Sequence, residues 1–171
     1  MRYVLDTNVF IDAANRYYAF DIAPGFWDSL ALLAQIGSVR SIDRVYQELS
    51  RHEDGLYDWA GNSFSVAFQS TDRGDVTLQY GQVMRWVHQQ EQYFDAAIYD
   101  FAEGADGWLV AYAKICDCTL ITHEAYNNFI KRKVPLPKVC VAVDVPYTDP
   151  FTMLRELGVE LHFAGFDVPA D

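Results

Sequence analysis

Basic residues are scarce: 13 Lys and Arg stand against 24 Asp and Glu in 171 residues, a formal net charge of −11. So acidic a chain does not hold nucleic acid by broad neutralisation of phosphates. It leaves room only for a site where acids gather on bound cations beside a local basic strip. Cysteine is sparse as well. Cys116, Cys118 and Cys140 are odd in number, sit among apolar residues and lack the second pair of a zinc site, so reduced structural thiols are expected. No apolar stretch approaches the ~20 residues that span a bilayer, and no basic segment with an apolar signal core precedes the first apolar run. A Gly/Ser- or Pro-rich linker, an internal repeat and a low-complexity tract are all missing. With 51% hydrophobic residues the expectation is one cytoplasmic domain over residues 1–171, with no membrane partner.

What is present alternates between strand and helix signals. Tyr3-Val4-Leu5 is too short for a helix and reads as a buried strand, with Asp6 at its carboxyl end. Asn8 can cap a helix whose apolar face is Val9, Phe10, Ile11, Ala13 and Ala14. After a loop from Tyr17 to Ala23, Pro24 opens a helix that Gly37 ends, and a strand follows at Val39 to Ile42. Asp43 starts a helix that carries Val45 and Leu49 on one face, with Glu48 beside Leu49. Turns at Asp54-Gly55 and Gly61-Asn62 bracket a short amphipathic piece near Tyr57 to Ala60. Asp75 then caps a long helix to about Gln92, with Leu78, Val83, Trp86 and Val87 as its buried side, and a shorter helix runs from Asp95 to Glu103. These pieces make a helical insert, about 53–103, between the second and third strands. Asp106 starts a helix rich in small and apolar residues, and Thr119 to Thr122 is a strand with His123 and Glu124 at its carboxyl end. Val139 to Val143 reads as a late strand, and Asp149-Pro150 opens a last helix closed by Gly158. The alternation predicts an α/β fold with a mainly parallel sheet of about four to five strands.

Four acids thus stand out: Asp6 and Glu124 at the carboxyl ends of strands, on the rim of a parallel sheet where ligands bind, Asp106 at a helix start, and Glu48 near the C-terminal half of a helix. Each has an ordinary alternative: Asp6 and Asp106 as helix caps, Glu48 as a surface partner of Arg44 or Arg51. Carboxylates roughly 5 Å apart repel by about 3 kcal/mol per pair at an effective dielectric near 20, so such a cluster calls for cations. Hard oxygen donors without His or Cys suit Mg²⁺ or Mn²⁺. Two such ions about 4 Å apart can activate a water and stabilise a leaving oxygen at phosphorus. Lys131, Arg132, Lys133 and Lys138 form a candidate RNA-contacting strip, or else a solvated helix end. Asp12 lies more than a turn from Asp6 and reads as surface, His123 needs no catalytic role, and Tyr17 and Tyr18 are the aromatics expected outside the core.

Asp-Thr-Asn after the first strand, Val-Tyr-Gln-Glu-Leu on a helix, Asp-Gly-Trp-Leu-Val-Ala-Tyr-Ala, and Leu-Ile-Thr-His-Glu after a later strand occur in a fixed order. From Tyr3 to about Val143 that order resembles the PIN-domain family, metal-dependent ribonucleases that include toxins of VapC-type toxin–antitoxin systems. The resemblance implies a three-layer α/β/α sandwich and Mg²⁺- or Mn²⁺-dependent hydrolysis of RNA. It makes Asp6, Glu48, Asp106 and Glu124 catalytic metal residues, with Thr7, Asn8 and Thr122 holding carboxylates or waters. An antitoxin and a second copy of the chain are its implied partners. Two features depart from the pattern: the fourth acid is Glu124 where the family usually has aspartate, and the stretch between Glu48 and Asp106 is longer than in compact toxin-like members. These features resemble a longer bacterial branch of PIN-like proteins. The alternative is a PIN-like binding module with a weak or inactive site that acts through a protein partner. Other α/β phosphate chemistry fits less well. A haloacid-dehalogenase-like phosphatase needs Asp where Asn8 stands, the strand-end aspartate and later lysine of a receiver domain cannot be placed, and a dinucleotide site needs a Gly-rich first turn.

Overall fold

A computed structural model of the chain describes residues 2–51 and 55–162. The turn expected at Asp54 and the start of the insert near 53 lie outside those residues. Five strands, β1 (Tyr3–Leu5), β2 (Val39–Ile42), β3 (Phe68–Gln69), β4 (Thr119–Ile121) and β5 (Tyr147–Thr148), form one sheet in the order β3-β2-β1-β4-β5. Every neighbouring pair is parallel. All three residues of β1 are buried, as a central parallel strand covered on both faces requires. Tyr3 pairs with Val39 and Thr119, and Leu5 pairs with Ile121. β1 and β4 therefore end level, and Asp6 N donates to Ile121 O at 3.0 Å as the chain leaves the sheet.

The connections run from β1 outward through β2 to β3, then cross to β4 and β5 on the other side. That reversal opens a crevice beyond the carboxyl end of β1, the usual ligand position in an open α/β sheet. Helices cover both faces, giving a three-layer α/β/α sandwich. In chain order they are α1 (Thr7–Asp12), α2 (Pro24–Gln35), α3 (Asp43–Leu49), α4 (Gly55–Ser63), α5 (Gly74–His88), α6 (Asp95–Glu103), α7 (Asp106–Cys116), α8 (Leu136–Ala142) and α9 (Pro150–Glu156). Residues 109–113 of α7 are buried on every side because that helix packs between β4, α5, α6 and α8. Gly107 makes the approach of α5 possible: a Cβ there would lie 2.9 Å from Tyr80 Cε2 and 3.1 Å from Phe101 Cε1.

Several local expectations are corrected. Of the run expected as a strand at Val139 to Val143, residues 139–142 belong to α8 and Val143 is its C-cap; the first turn of α8 holds Pro137, and Leu136, Val139 and Cys140 face the core at helical spacing. Five apolar residues cannot by themselves separate a buried helix from a buried strand. The last strand is instead Tyr147–Thr148, and the insert contains β3 as well as helices. Asn8 is not the cap of α1; that helix begins at Thr7, Asp6 holds the cap position, and Asn8 is exposed in the first turn. Leu78 is 70% exposed rather than buried, and α5 stops at His88. Tyr17, expected to begin the loop to Ala23, instead ends a π-helical stretch at Ala13–Tyr17 that continues α1. Asp149 does cap α9, accepting from Phe151 N at 2.9 Å and Thr152 N at 3.0 Å. All three cysteines are free, with Cys118 and Cys140 buried. Among the described residues no helix is long and apolar enough to cross a membrane.

Candidate metal and phosphate site

Asp6 is set by the strand that precedes it. Its carboxylate is 1% exposed and accepts from Thr122 Oγ1 at 3.0 Å, the residue just past the end of β4. Burial first, then the charge of Glu124, pushes the Asp6 carboxyl up from 3.8 to about 6, against the hydrogen bond from Thr122 and the charge of Lys133.

Glu48, half-buried near the end of α3, ties two helix starts together. Its Oε2 accepts from Thr7 Oγ1 at 2.5 Å, and its Oε1 accepts from Ala105 N at 2.9 Å. Gly104 lies beside this contact, where a Cβ would meet Asp100 O at a tight 3.3 Å and Glu48 Oε1 at an ordinary 3.5 Å. Arg44, considered above as a surface partner of Glu48, instead lies over the Trp108 ring at 3.9 Å and donates to Thr71 Oγ1 at 3.2 Å.

Asp106 opens α7, yet its carboxylate has no hydrogen-bond or ion-pair partner among the described residues. Burial, then the charges of Asp6 and Glu124 and, more weakly, Glu48, raise its carboxyl well above the ordinary value, with Lys133 opposing them. Two adjoining cavities meet at this side chain. One, of about 310 Å³, is lined by Asp6, Thr7, Asn8, Glu48, Arg51 and Asp106 among others. The second, of about 260 Å³, runs from Asp106 to Arg132 and Lys133. Asp100, on the exposed side of α6, borders both.

Glu124 is placed differently. It forms an ion pair with Lys133, its Oε2 accepts from Leu136 N at 3.0 Å, and it lines a neighbouring cavity of about 400 Å³ with Thr122 and His123. His123 packs its ring 5.4 Å from Tyr17 and 6.1 Å from Phe151. Tyr17 is exposed as expected, whereas Tyr18 stacks on Phe26 at 4.1 Å. Asp12 pairs with Arg16 on the surface at 3.6 Å.

The site therefore brings Asp6, Thr7, Asn8, Glu48 and Asp106 around one cavity, sets Thr122 behind Asp6, and puts Glu124 against Lys133. Of the basic strip, Arg132 and Lys133 face the Asp106 cavity, Lys131 does not line it, and Lys138 donates to Gln92 Oε1 at 2.6 Å. Asp100, on the exposed face of α6, escapes the sequence reading, and Arg51, in the turn after α3, is read there only as a surface partner of Glu48; no local pattern separates either from a solvated charge. Among the described residues no three His, Cys, Asp or Glu side chains converge enough to enclose a metal ion by themselves. Mg²⁺ and Mn²⁺ need no such cage, since one or two carboxylates with waters and substrate phosphates satisfy them. The unpartnered Asp106 carboxylate beside Asp6 fits that donor set.

Comparison with known proteins bears on the same fold. A chain of VapBC2 from Rickettsia felis, solved bound to a DNA fragment from their promoter, superposes with a TM-score of 0.56 at 15% identity, covering 87% of this chain and 98% of that one. At this identity the likeness establishes the PIN-like fold. No curated protein matches the sequence. A family model described as a domain of unknown function, DUF4411, matches residues 3–161. The chain, built on a PIN-like α/β/α fold, is thus a member of the DUF4411 family.

Proposed function

We propose that this protein is a divalent-metal-dependent endoribonuclease, the nuclease half of a toxin–antitoxin pair acting on cytoplasmic RNA. The observation that carries the reading is Asp106: an ionisable side chain with no partner among the described residues, set beside buried Asp6 at the reversal point of the sheet, where burial and mutual repulsion disfavour both charges. Such an arrangement costs stability unless a cation binds there. A structural cap would instead be consumed by backbone N–H groups, as Asp149 is.

In this reading Asp6 and Asp106 hold Mg²⁺ or Mn²⁺, which supplies charge to phosphoryl oxygens and a more acidic water for in-line attack. Thr122 fixes the orientation of Asp6 through its 3.0 Å hydrogen bond. Glu48 holds Thr7 and the Ala105 amide, so the starts of α1 and α7, and with them the two carboxylates, keep a fixed separation. Asn8, at the edge of the same cavity, is positioned to hold a water or a substrate oxygen. Arg51, Arg132 and Lys133 provide the local positive charge that an acidic chain needs to receive a phosphodiester. RNA as substrate, an antitoxin partner and pairing of two copies are what the PIN resemblance implies, and the VapBC2 neighbour supports the antitoxin part.

Incubating wild type and Asp106→Asn with a mixed RNA pool and Mn²⁺ tests the proposal: cleavage by wild type, abolished by EDTA and by the substitution, is expected. Intact RNA with metal-saturated wild type would overturn it. The second reading, a PIN-like module acting through a protein partner, is favoured by the engagement of both Glu124 oxygens, which leaves fewer acids free for metal.

A further inference from the structure

Glu124 departs from the aspartate usual at its position, and the structure shows what its extra length reaches. One oxygen meets the Lys133 ammonium, and the other accepts from Leu136 N at 3.0 Å, the first N–H of α8. Its own amide donates to Thr122 Oγ1 at 3.1 Å, the hydroxyl that donates in turn to Asp6 at 3.0 Å. The Glu124 side chain is 14% exposed and that of Lys133 is 48% exposed, so the lysine stem reaches inward from the rim and delivers its charge among the acids. Lys133 lines the cavity that ends on Asp106, and its charge acts on both Asp6 and Asp106. Of the three N–H donors of an ammonium, only the one on Glu124 is used among the described residues.

We propose that Lys133 is the fixed second cation of this site: Asp6 and Asp106 take one divalent ion, and the Lys133 ammonium, anchored on Glu124, occupies the place of a second. The inference rests on the metal-nuclease reading above. A carboxylate oxygen bound to an ammonium is a poor ligand for a divalent ion, because the two cations repel across it. Glu124 is thereby a positioning residue for Lys133 rather than a metal ligand. The unused ammonium donors are available to a non-bridging phosphate oxygen in the Asp106 cavity, a point-charge contact of the kind lysine makes with phosphates.

The test is Mn²⁺ stoichiometry by titration calorimetry and by electron paramagnetic resonance, on wild type, Lys133→Arg and Lys133→Met, each checked for folding by circular dichroism. Wild type and Lys133→Arg should bind one magnetically isolated ion. Lys133→Met should bind two, giving a spin-coupled pair that Glu124→Gln in the same chain reduces to one. Two ions in wild type, or one ion unchanged in folded Lys133→Met, overturns the inference while leaving the metal centre intact. No ion bound to wild type removes the metal centre itself and the inference with it. Should Lys133→Met fail to fold, Lys133→Gln takes its place by the same criterion: two ions are expected, and one ion overturns the inference.

Discussion

Replacing Asp6 by asparagine should stabilise the metal-free protein at neutral pH, against the usual expectation for a fully buried, hydrogen-bonded residue. Burial and the neighbouring Glu124 raise its carboxyl from 3.8 to about 6 in the folded chain, a preference for the protonated form of about 3 kcal/mol. Because the folded-state value is the higher one, the folded chain binds the proton more tightly and stability falls as pH rises from about 4 to about 6. By linkage, Asp6 alone makes the metal-free protein on the order of 1 kcal/mol more stable at pH 5 than at pH 7.5, a few degrees in Tm for a chain of this size. Asp106, shifted in the same direction, adds to the effect. Asparagine keeps an acceptor for Thr122 and removes the charge, so Asp6→Asn should gain up to about 3 kcal/mol at pH 7.5 and lose its part of the slope. Thermal and urea unfolding in EDTA at the two pH values measure both quantities. Metal-free stability that rises from pH 5 to pH 7.5, or an Asp6→Asn protein about 2 kcal/mol less stable at pH 7.5, would refute the electrostatic reasoning and make Asp6 a structural cap.

Thr122→Ala removes the side-chain hydrogen bond that Asp6 accepts from Thr122 Oγ1; the Asp6 carboxyl should titrate higher still in a carboxyl NMR titration, at a stability cost of about 1.5–3 kcal/mol. Glu48→Ala leaves Ala105 N and Thr7 Oγ1 without their acceptor and should cost about 1–3 kcal/mol by urea unfolding; an unchanged midpoint would show that Glu48 does not join α1 to α7. Gly107→Ala places a Cβ within 2.9 Å of Tyr80 and should cost about 1–3 kcal/mol, with loss of the near-ultraviolet signal of the Tyr80–Trp108 stack, whose rings lie 3.9 Å apart.

The parts of the fold readable in the sequence are those in which one short segment carries both a strand or helix signal and an acid. Tyr3-Val4-Leu5-Asp6 and the start of α7 at Asp106 are such segments, and both stand where the sequence reading put them. β3 and β5 are two residues each, shorter than any periodicity can resolve, and exist because a neighbouring strand offers its edge. Val139-Cys140-Val141-Ala142-Val143 has strand composition, which hides α8 in the sequence; Pro137 in its first turn is the signal for a helix. In the site, the acids were legible by type and order, but their partners were not. The contact of Glu124 with Lys133 spans a loop, that of Glu48 with Ala105 spans the whole insert, and the placement of Asp100 depends on how α6 meets α7.

The central claim, that Asp6 and Asp106 form a cation site, is tested most directly by titrating Mn²⁺ calorimetrically into wild type and Asp106→Asn at pH 7.5. Saturable binding by wild type, weakened at least about 30-fold by loss of the Asp106 charge, roughly 2 kcal/mol, is the predicted result. Equal affinity in both proteins, or no binding to wild type, would contradict it.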